Sequence, residues 1–464
     1  MRHGLGAIPR PLAFPILLVG ALAAAQSSSS IQRPTWRDLV PIQSYLARHG
    51  VSSDTLHDVI DRTHAKNAAR VREGDLDHLV FYALQSTRFT TRPPIEPALS
   101  AKALVESLHP EAHAAFLTGP SIPDVPVPAA VRSRIAELVT YLGPQRSDER
   151  AAFFRQLVHT AFPAARGREA ALAREYVRVM RFLYRKEFLA PATARGTSDV
   201  HDLYRERGLS TDTAIEAGFV VHTGLAVLQA LEPTRRVRRV LVVGPGLDLA
   251  PRTGLLDDAP PQSYQPWAVM DALVSLGLSQ LGDLSIVAAD INPRVVDHLR
   301  RARGSPPALR LASALGGSDT VVMSPDYLDY FTRLGRTIGS ETRGAGLRKV
   351  IQVSVDSARA LVPAETLDIV TERLGGPGFD LVVATNIFPY FNDLELALAM
   401  SNIAAMTRPG GVVLHNEGRA VLGEITTDLG LPFEQARYVT IATIRGATAP
   451  LADSVFLHRK VTTR

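Results

Sequence analysis

Cysteine is absent from all 464 residues. That excludes disulfides, iron–sulfur clusters, thiolate zinc sites and cysteine nucleophiles together. It leaves the redox compartment open, because a chain without thiols tolerates either side of a membrane. No clustered His/acid ligand motif stands out, so no metal is expected. Long basic runs are also missing. The formal charge of +5 is scattered in short clusters such as Arg235-Arg236 and Arg238-Arg239, which read as solvated surface, and nucleic acid is not an expected partner. Beyond the N-terminal segment no run of about 18 apolar residues occurs, and no further membrane span is expected.

What is present is globular in balance, with 46% hydrophobic and 21% charged residues, over a length that suits two or three domains. Arg2 and Arg10 precede an apolar run, Leu12–Ala25, that contains Pro15 and Gly20, ends Ala23-Ala24-Ala25 and meets Gln26 and the serines Ser27–Ser30. A basic start, a short apolar centre and small residues at the end form the pattern of a cleavable secretory signal. Residues 1–25 are therefore expected to be a signal peptide and 26–35 a Ser-rich spacer, with an exported or periplasmic location. A mis-chosen start site would instead make the chain cytoplasmic.

Residues 36–195 read as successive helices, a helical domain of unknown role. In Asp75–Leu84 the apolar residues fall at 76, 79, 80, 83 and 84, the stripe of an amphipathic helix. Tyr176, Val179, Met180, Leu183 and Tyr184 repeat it, and proline-rich stretches at 92–97 and 120–128 separate the helices. From 196 to 464 the texture changes. After N-cap candidates at 210–213 comes an apolar helix, Ala214–Leu231. Short apolar runs then alternate with helical stretches: Val240–Val243, Ser285–Ala289, Val350–Val355, Leu381–Ala384 and Val412–His415. Such runs imply a parallel sheet buried on both faces. Tyr438–Ile444 and Ser454–Arg459, joined by a short Gly/Pro loop, suggest an antiparallel hairpin closing its edge. The expected fold is α/β: a Rossmann-like, mostly parallel seven-stranded sheet with a terminal antiparallel hairpin, preceded by an all-α domain.

Three signals carry chemistry. Strand Val240–Val243 runs into Gly244-Pro245-Gly246-Leu247-Asp248, a turn whose glycines let backbone approach a ligand. Leu249 stands where a dinucleotide-binding turn wants a third glycine, which weighs against a nucleotide-linked oxidoreductase. Asp290 follows the second strand directly, where a carboxylate can accept hydrogen bonds from ribose hydroxyls. It stands 44 residues beyond Gly246, against about 20 in dinucleotide folds, and the insertion Pro251–Tyr264 accounts for the excess. The third signal is the block Phe379–Asn392, with Asn386, Phe388-Pro389-Tyr390-Phe391, a helix Asp393–Met406, then Arg408-Pro409-Gly410-Gly411 and a strand.

This run resembles the fourth and fifth strands of class I S-adenosylmethionine (SAM)-dependent methyltransferases, and most closely chemotaxis-receptor glutamate methyltransferases, where Asn also precedes a Tyr-Phe pair. The resemblance covers roughly Thr234 to the C-terminus. It implies that Gly244 and Gly246 lie against the methionyl part of SAM, with Asp248 in the same turn. Asp290 would hold the ribose, Ile291 would flank the adenine and Asn386 would face the cofactor. Tyr390 would line the methyl-transfer site. Val242 stands where many members carry an acid. After the third strand, Asp356 and Asp368 both qualify to contact the adenine.

A methyl acceptor, small molecule or protein, would present oxygen or nitrogen in line with the sulfonium methyl, and such alignment is worth roughly 7–11 kcal/mol. A hydroxyl or amine acceptor needs a base, for which His415 and Glu417 are placed by position. Ser263–Trp267 would form a lid or pack an extra helix, and the helix after Ser210 would cover the pocket. The rival reading is a degenerate fold serving as a binding or scaffold module of the cell envelope. N-terminal sequencing of protein from its host checks the signal: a first residue of Gln26 marks cleavage, and an intact Met1 rules it out.

Overall fold

The structure is a computed structural model. It describes residues 30–119, 121–143, 148–190, 196–248, 257, 259–313, 315, 319–344, 346–447 and 449–461. The expected signal segment, Leu249 and half of the Pro251–Tyr264 insertion lie outside these.

The N-terminal half opens with a short strand, β1 (Ile31–Gln32), and is otherwise helical: α1 (Gln43–Arg48), α2 (Leu56–Gln85), α3 (Pro97–Glu106), α4 (Pro110–Thr118), α5 (Ala129–Leu142), α6 (Glu149–Ala161), α7 (Arg168–Tyr184), α8 (Gly196–Glu206) and α9 (Ile215–Leu231). Pro97 and Pro110 sit in the first turns of α3 and α4, where the missing N–H costs nothing. The second half follows as β2 (Arg239–Val243), α10 (Gln265–Ser275), β3 (Ser285–Asp290), α11 (Pro293–Gly304), β4 (Ala308–Ala312), β5 (Val321–Met323), α12 (Pro325–Arg333), β6 (Gly339–Arg343), β7 (Arg348–Val353), α13 (Val355–Ala360), β8 (Glu365–Thr366), β9 (Arg373–Leu374), β10 (Phe379–Ala384), α14 (Asp393–Met406), β11 (Thr407–His415), α15 (Ala420–Ile425), β12 (Phe433–Ile444) and β13 (Leu451–Arg459). No helix among the described residues is long and apolar enough to cross a membrane.

The main sheet runs β5-β12-β13-β11-β10-β2-β3-β8. The five strands from β11 to the β8 edge are parallel, and β13, β12 and β5 are antiparallel. The expected α/β sheet with its terminal hairpin is present, but with eight strands rather than seven, because β5 adds to the free edge of β12. A second correction concerns Val350–Val355. Its residues form β7 in a separate antiparallel sheet, β4-β7-β6, and the place beside β3 goes to the two-residue β8. The burial of β7 alternates, whereas every residue of β10 is buried. A strand with one face toward solvent belongs in an antiparallel layer.

Side chains of the parallel strands alternate between two apolar clusters. Val240, Val242, Ile286, Leu381 and Val412 point to the face covered by α9, α10 and α11, and that cluster continues without a break into α2, α3, α5, α6 and α7. Leu241, Val243, Val287, Val382 and Val413 point to the other face, against α14, α15 and residues Leu39–Ile60. The helical half therefore packs on both sides of the sheet.

The second half of α2 is buried on nearly every side, polar residues included. Asp75 accepts from Asn292 Nδ2 (3.1 Å) and Arg294 Nη2 (3.2 Å). Asp77 pairs with Arg178 and Arg207. His78 Nδ1 lies 3.2 Å from Asp212 Oδ2, and its Nε2 accepts from the Thr211 N–H at 3.2 Å. Buried polar groups persist only when paired, and these pairs tie α2 to the C-terminal ends of the strands.

α14 begins with a capping box. Asn392 Oδ1 accepts from the Glu395 N–H and Glu395 Oε2 from the Asn392 N–H, both at 2.9 Å. Asn392→Ala should lower unfolding stability by about 1 kcal/mol in urea titrations at unchanged slope; an unshifted midpoint would refute the cap's contribution.

Candidate active site

The strand order reverses direction around β2, whose neighbours are β3 on one side and β10 on the other. Such switch points open a crevice at the carboxyl ends of the strands. Here the crevice is a cavity of about 590 Å³. Its floor is Gly244 and Gly246 after β2, Asp290 at the end of β3 with Ile291 and Asn292 after it, Leu367 and Asp368 after β8, and Thr385–Ile387 and Pro389–Phe391 after β10. Its roof comes from the helical half: Asn67 and Val71 of α2, Lys186, α8 and the segment Leu209–Ala214.

The glycine turn is built for close approach. Gly244 and Gly246 have φ of +64° and +74°. A Cβ on Gly246 would stand 2.3 Å from the Thr211 carbonyl oxygen, and one on Gly244 2.4 Å from Ile387 Cγ2. The roof segment is zipped to this turn: the Leu247 N–H donates to Thr211 O and Thr211 Oγ1 to Leu247 O, both at 2.8 Å. Asp248 does not line the cavity. It accepts from the Thr213 N–H at 3.0 Å and bridges to Gln262, so it braces the roof instead of meeting a ligand.

Asp290 is 6% exposed and lies on the cavity floor. Its Oδ1 accepts from the Asn292 N–H (2.8 Å) and Oδ2 from the Gly246 N–H (3.4 Å). Among the described residues no cation pairs with it. Burial raises its pKa to about 6, outweighing the two backbone N–H groups that lower it, and Asp75 adds to the rise. Asp368, beside β8, is also buried and raised by burial, with Asn67 Nδ2 3.1 Å from its Oδ2. Asp356 is exposed on α13 and pairs with Arg359, so of the two candidates after the third strand only Asp368 reaches the cavity.

At the β10 end, Asn386 is the one described non-glycine residue with positive φ, +61°. Its N–H donates to Asn416 Oδ1 (2.9 Å), and its Oδ1 accepts from Asn416 Nδ2 (2.7 Å), which also donates to Asp453. Strain of this kind survives where surrounding structure enforces it. The Tyr390 ring meets Tyr204 edge to face at 5.3 Å. Arg70 of α2 donates to the carbonyls of Arg207 (2.9 Å), Tyr204 (3.0 Å) and Tyr390 (3.1 Å). One buried guanidinium thereby holds α8, the roof and the β10 loop together.

His415 and Glu417 are placed elsewhere. His415 is fully buried, stacked on Phe456 and His458, and its pKa is pushed well below the ordinary value by burial and then by His458. Its Nδ1 accepts from the Glu417 N–H, and Glu417 accepts from the Arg419 N–H. Neither lines the cavity: His415 packs among Phe388, Phe456 and His458, and Glu417 lies 3.2 Å from Arg419 Nε. Ser263–Trp267 is likewise no lid: all five residues are buried, Trp267 belongs to the apolar cluster, and Tyr264 OH meets Tyr330 OH at 2.6 Å. The segment packs the extra helix α10. The residues before α9, rather than α9 itself, cover the pocket. Asn67, Lys186, Tyr204 and Arg207 went unseen in the sequence, being separated from Gly244 by tens to hundreds of residues with no motif around them. The one local hint is the π-helical turn Arg185–Leu189 that carries Lys186, since such turns concentrate at functional sites.

No family model matches the chain, and no curated protein matches it. Among solved structures it is similar to the N-methyltransferase NodS from Bradyrhizobium japonicum, at 14% identity over 52% of this chain and 94% of that one, with a TM-score of 0.26. It is also similar to a TehB-like SAM-dependent methyltransferase from Corynebacterium glutamicum (12%, 54% and 89%, TM-score 0.27). A third is magnesium protoporphyrin IX methyltransferase from Synechocystis with bound SAM (9%, 58% and 99%, TM-score 0.28). At these identities none of them assigns a role to a residue here.

Because folding favours protonated Asp290, its full stability is present below the ordinary pKa of 3.8 and is lost as pH rises through about 6. Asp290→Asn never ionises. It should melt higher than wild type above pH 6, by roughly 1–3 kcal/mol, with the gap closing below pH 4. A pH-independent difference in thermal melts would refute the burial cost.

Proposed function

We propose that the chain is a SAM-dependent methyltransferase acting on an oxygen or nitrogen acceptor. The observation that carries this reading is Asp290: a buried carboxylate with no cation paired to it among the described residues, facing a switch-point cavity beside a glycine turn. It costs stability as it stands, and it would be relieved by hydroxyl donors such as those of a ribose. A carboxylate at the end of the second strand, where a nucleoside would lie across the crevice, supplies that acceptor.

In this reading Gly244 and Gly246 let backbone meet the methionyl part, Asp290 holds the ribose, and Ile291 and Asp368 flank the adenine. Asn386 faces the cofactor and Tyr390 borders the acceptor. The block Asn386–Phe391 is the stretch that resembles chemotaxis-receptor glutamate methyltransferases. SAM when bound supplies an electrophilic methyl on a sulfonium leaving group. The chain's task is then alignment and exclusion of water, for which the roof over Gly246 is suited. An acceptor that must lose a proton finds His201 and Asp212 on the cavity wall, in place of His415 and Glu417.

Calorimetric titration with S-adenosylhomocysteine tests the reading. Micromolar binding is expected, weakened at least tenfold in Asp290→Ala and unchanged in Asp356→Ala. Folded wild-type protein that takes up no S-adenosylhomocysteine would sink it.

A further inference from the structure

The cavity is longer than its nucleoside end. It runs from Asp368 and Ile291, beyond β8 and β3, past the glycine turn to a second end beyond β10. There the lining side chains are Lys186, Tyr204, Arg207 and Tyr390, and the methyltransferase reading leaves this end for the acceptor.

We propose that the acceptor is a small, ring-bearing acid whose carboxylate is held by Arg207 and Lys186 and whose ring packs into the corner between Tyr204 and Tyr390. This rests on the methyltransferase reading. Arg207's side chain is only 10% exposed. Its Nη2 donates to Asp77 at 2.9 Å, and its buried Nε has no partner. Asp77 also pairs with Arg178, which Glu175 partners in turn, so Asp77 is shared between two guanidinium groups. The Arg207 guanidinium lies 4.3 Å from the Phe182 ring centroid and 5.8 Å from that of Tyr204. The aromatic faces fix its plane without using its donors. A buried guanidinium with donors to spare costs free energy until an anion takes them, and its planar fork fits a carboxylate.

Lys186 Nζ lies 6.0 Å from the same Tyr204 ring centroid, and Arg207 is near enough to act on its charge. Lys186 pairs with Glu187, whose side chain is 41% exposed, a contact that solvent screens and a buried anion can outcompete. The third nearby cation, Arg70, has committed Nε, Nη1 and Nη2 to backbone carbonyls, so it contributes positive potential without competing for the ligand. Tyr204 and Tyr390 meet at 85° with ring centroids 5.3 Å apart and both line this end of the cavity, so a ring entering there meets aromatic partners suited to edge-to-face contact.

The test uses full-length protein, with and without saturating S-adenosylhomocysteine. Benzoate, 4-hydroxybenzoate and 4-hydroxycinnamate are each titrated against the corresponding neutral amide. At least one acid should bind ten times more tightly than its amide. That preference should fall about tenfold in Arg207→Lys, which keeps the charge but loses the fork, and in Lys186→Gln, which alters only a half-exposed side chain. S-adenosylhomocysteine affinity in both variants should stay within twofold of wild type. Acids binding no better than amides, or binding of neither, overturns the proposal, as does a preference that survives both substitutions. Failure of S-adenosylhomocysteine to bind wild-type protein would instead strike the methyltransferase reading, and the acid–amide comparison in its absence still decides this one.

Discussion

One stretch of α2, from Asn67 to His78, sets the geometry of the cavity. Its polar side chains reach each wall in turn: Asn67 to Asp368, Arg70 to the carbonyls of Tyr204, Arg207 and Tyr390, Asp75 to Asn292, Asp77 to Arg207, and His78 to Thr211. The backbone contact is as tight. A Cβ on Gly74 would stand 1.8 Å from the Leu209 carbonyl oxygen, so helix and roof touch where no side chain fits. Each pair is buried, where a hydrogen bond is stronger than in water and an unmade one is expensive. The network therefore holds the walls in one arrangement, and losing one wall exposes unpaired groups in the others.

Against this rigid frame stand groups the frame leaves unsatisfied. Among the described residues Asp290 has two backbone donors but no counter-charge, Arg207 Nε has no hydrogen-bond partner, and Asn386 is held with positive φ by Asn416. All three face the same cavity. In the methyltransferase reading a bound ligand would relieve the costs gathered at this place. The His415, Phe456 and His458 stack makes the contrast. It is also buried and includes an unpaired Nε2, but it does not line this cavity.

Strands buried on both faces could be read from composition alone. Val240–Val243 and Leu381–Ala384 are continuously apolar because no residue in them meets water, and turn chemistry at Gly244, Gly246 and Pro293 marked where chain direction changes. Periodicity failed at Val350–Val355. A run of alternating burial looks apolar enough to pass for a central strand until its partners are known, and the true neighbour of β3 is only two residues long. The same limit misplaced His415 and Glu417. Position past the fifth strand says which end of the sheet they occupy, but only the assembled fold packs His415 among Phe388, Phe456 and His458 and sets Glu417 beside Arg419.

The sequence by itself determined the elements and one half of the pocket, since Gly244, Gly246, Asp290 and Asn386 each sit at a strand end, and strand ends in a parallel sheet converge by topology. Tertiary structure alone decided the other half. Asn67, Lys186, Tyr204 and Arg207 reach the cavity only because α2 and α8 fold back over it, through contacts between residues more than a hundred positions apart. Local propensity holds no record of such contacts: the choice between Asp356 and Asp368, or between a lid and a packed helix at Trp267, is made by the burial energy of the assembled chain.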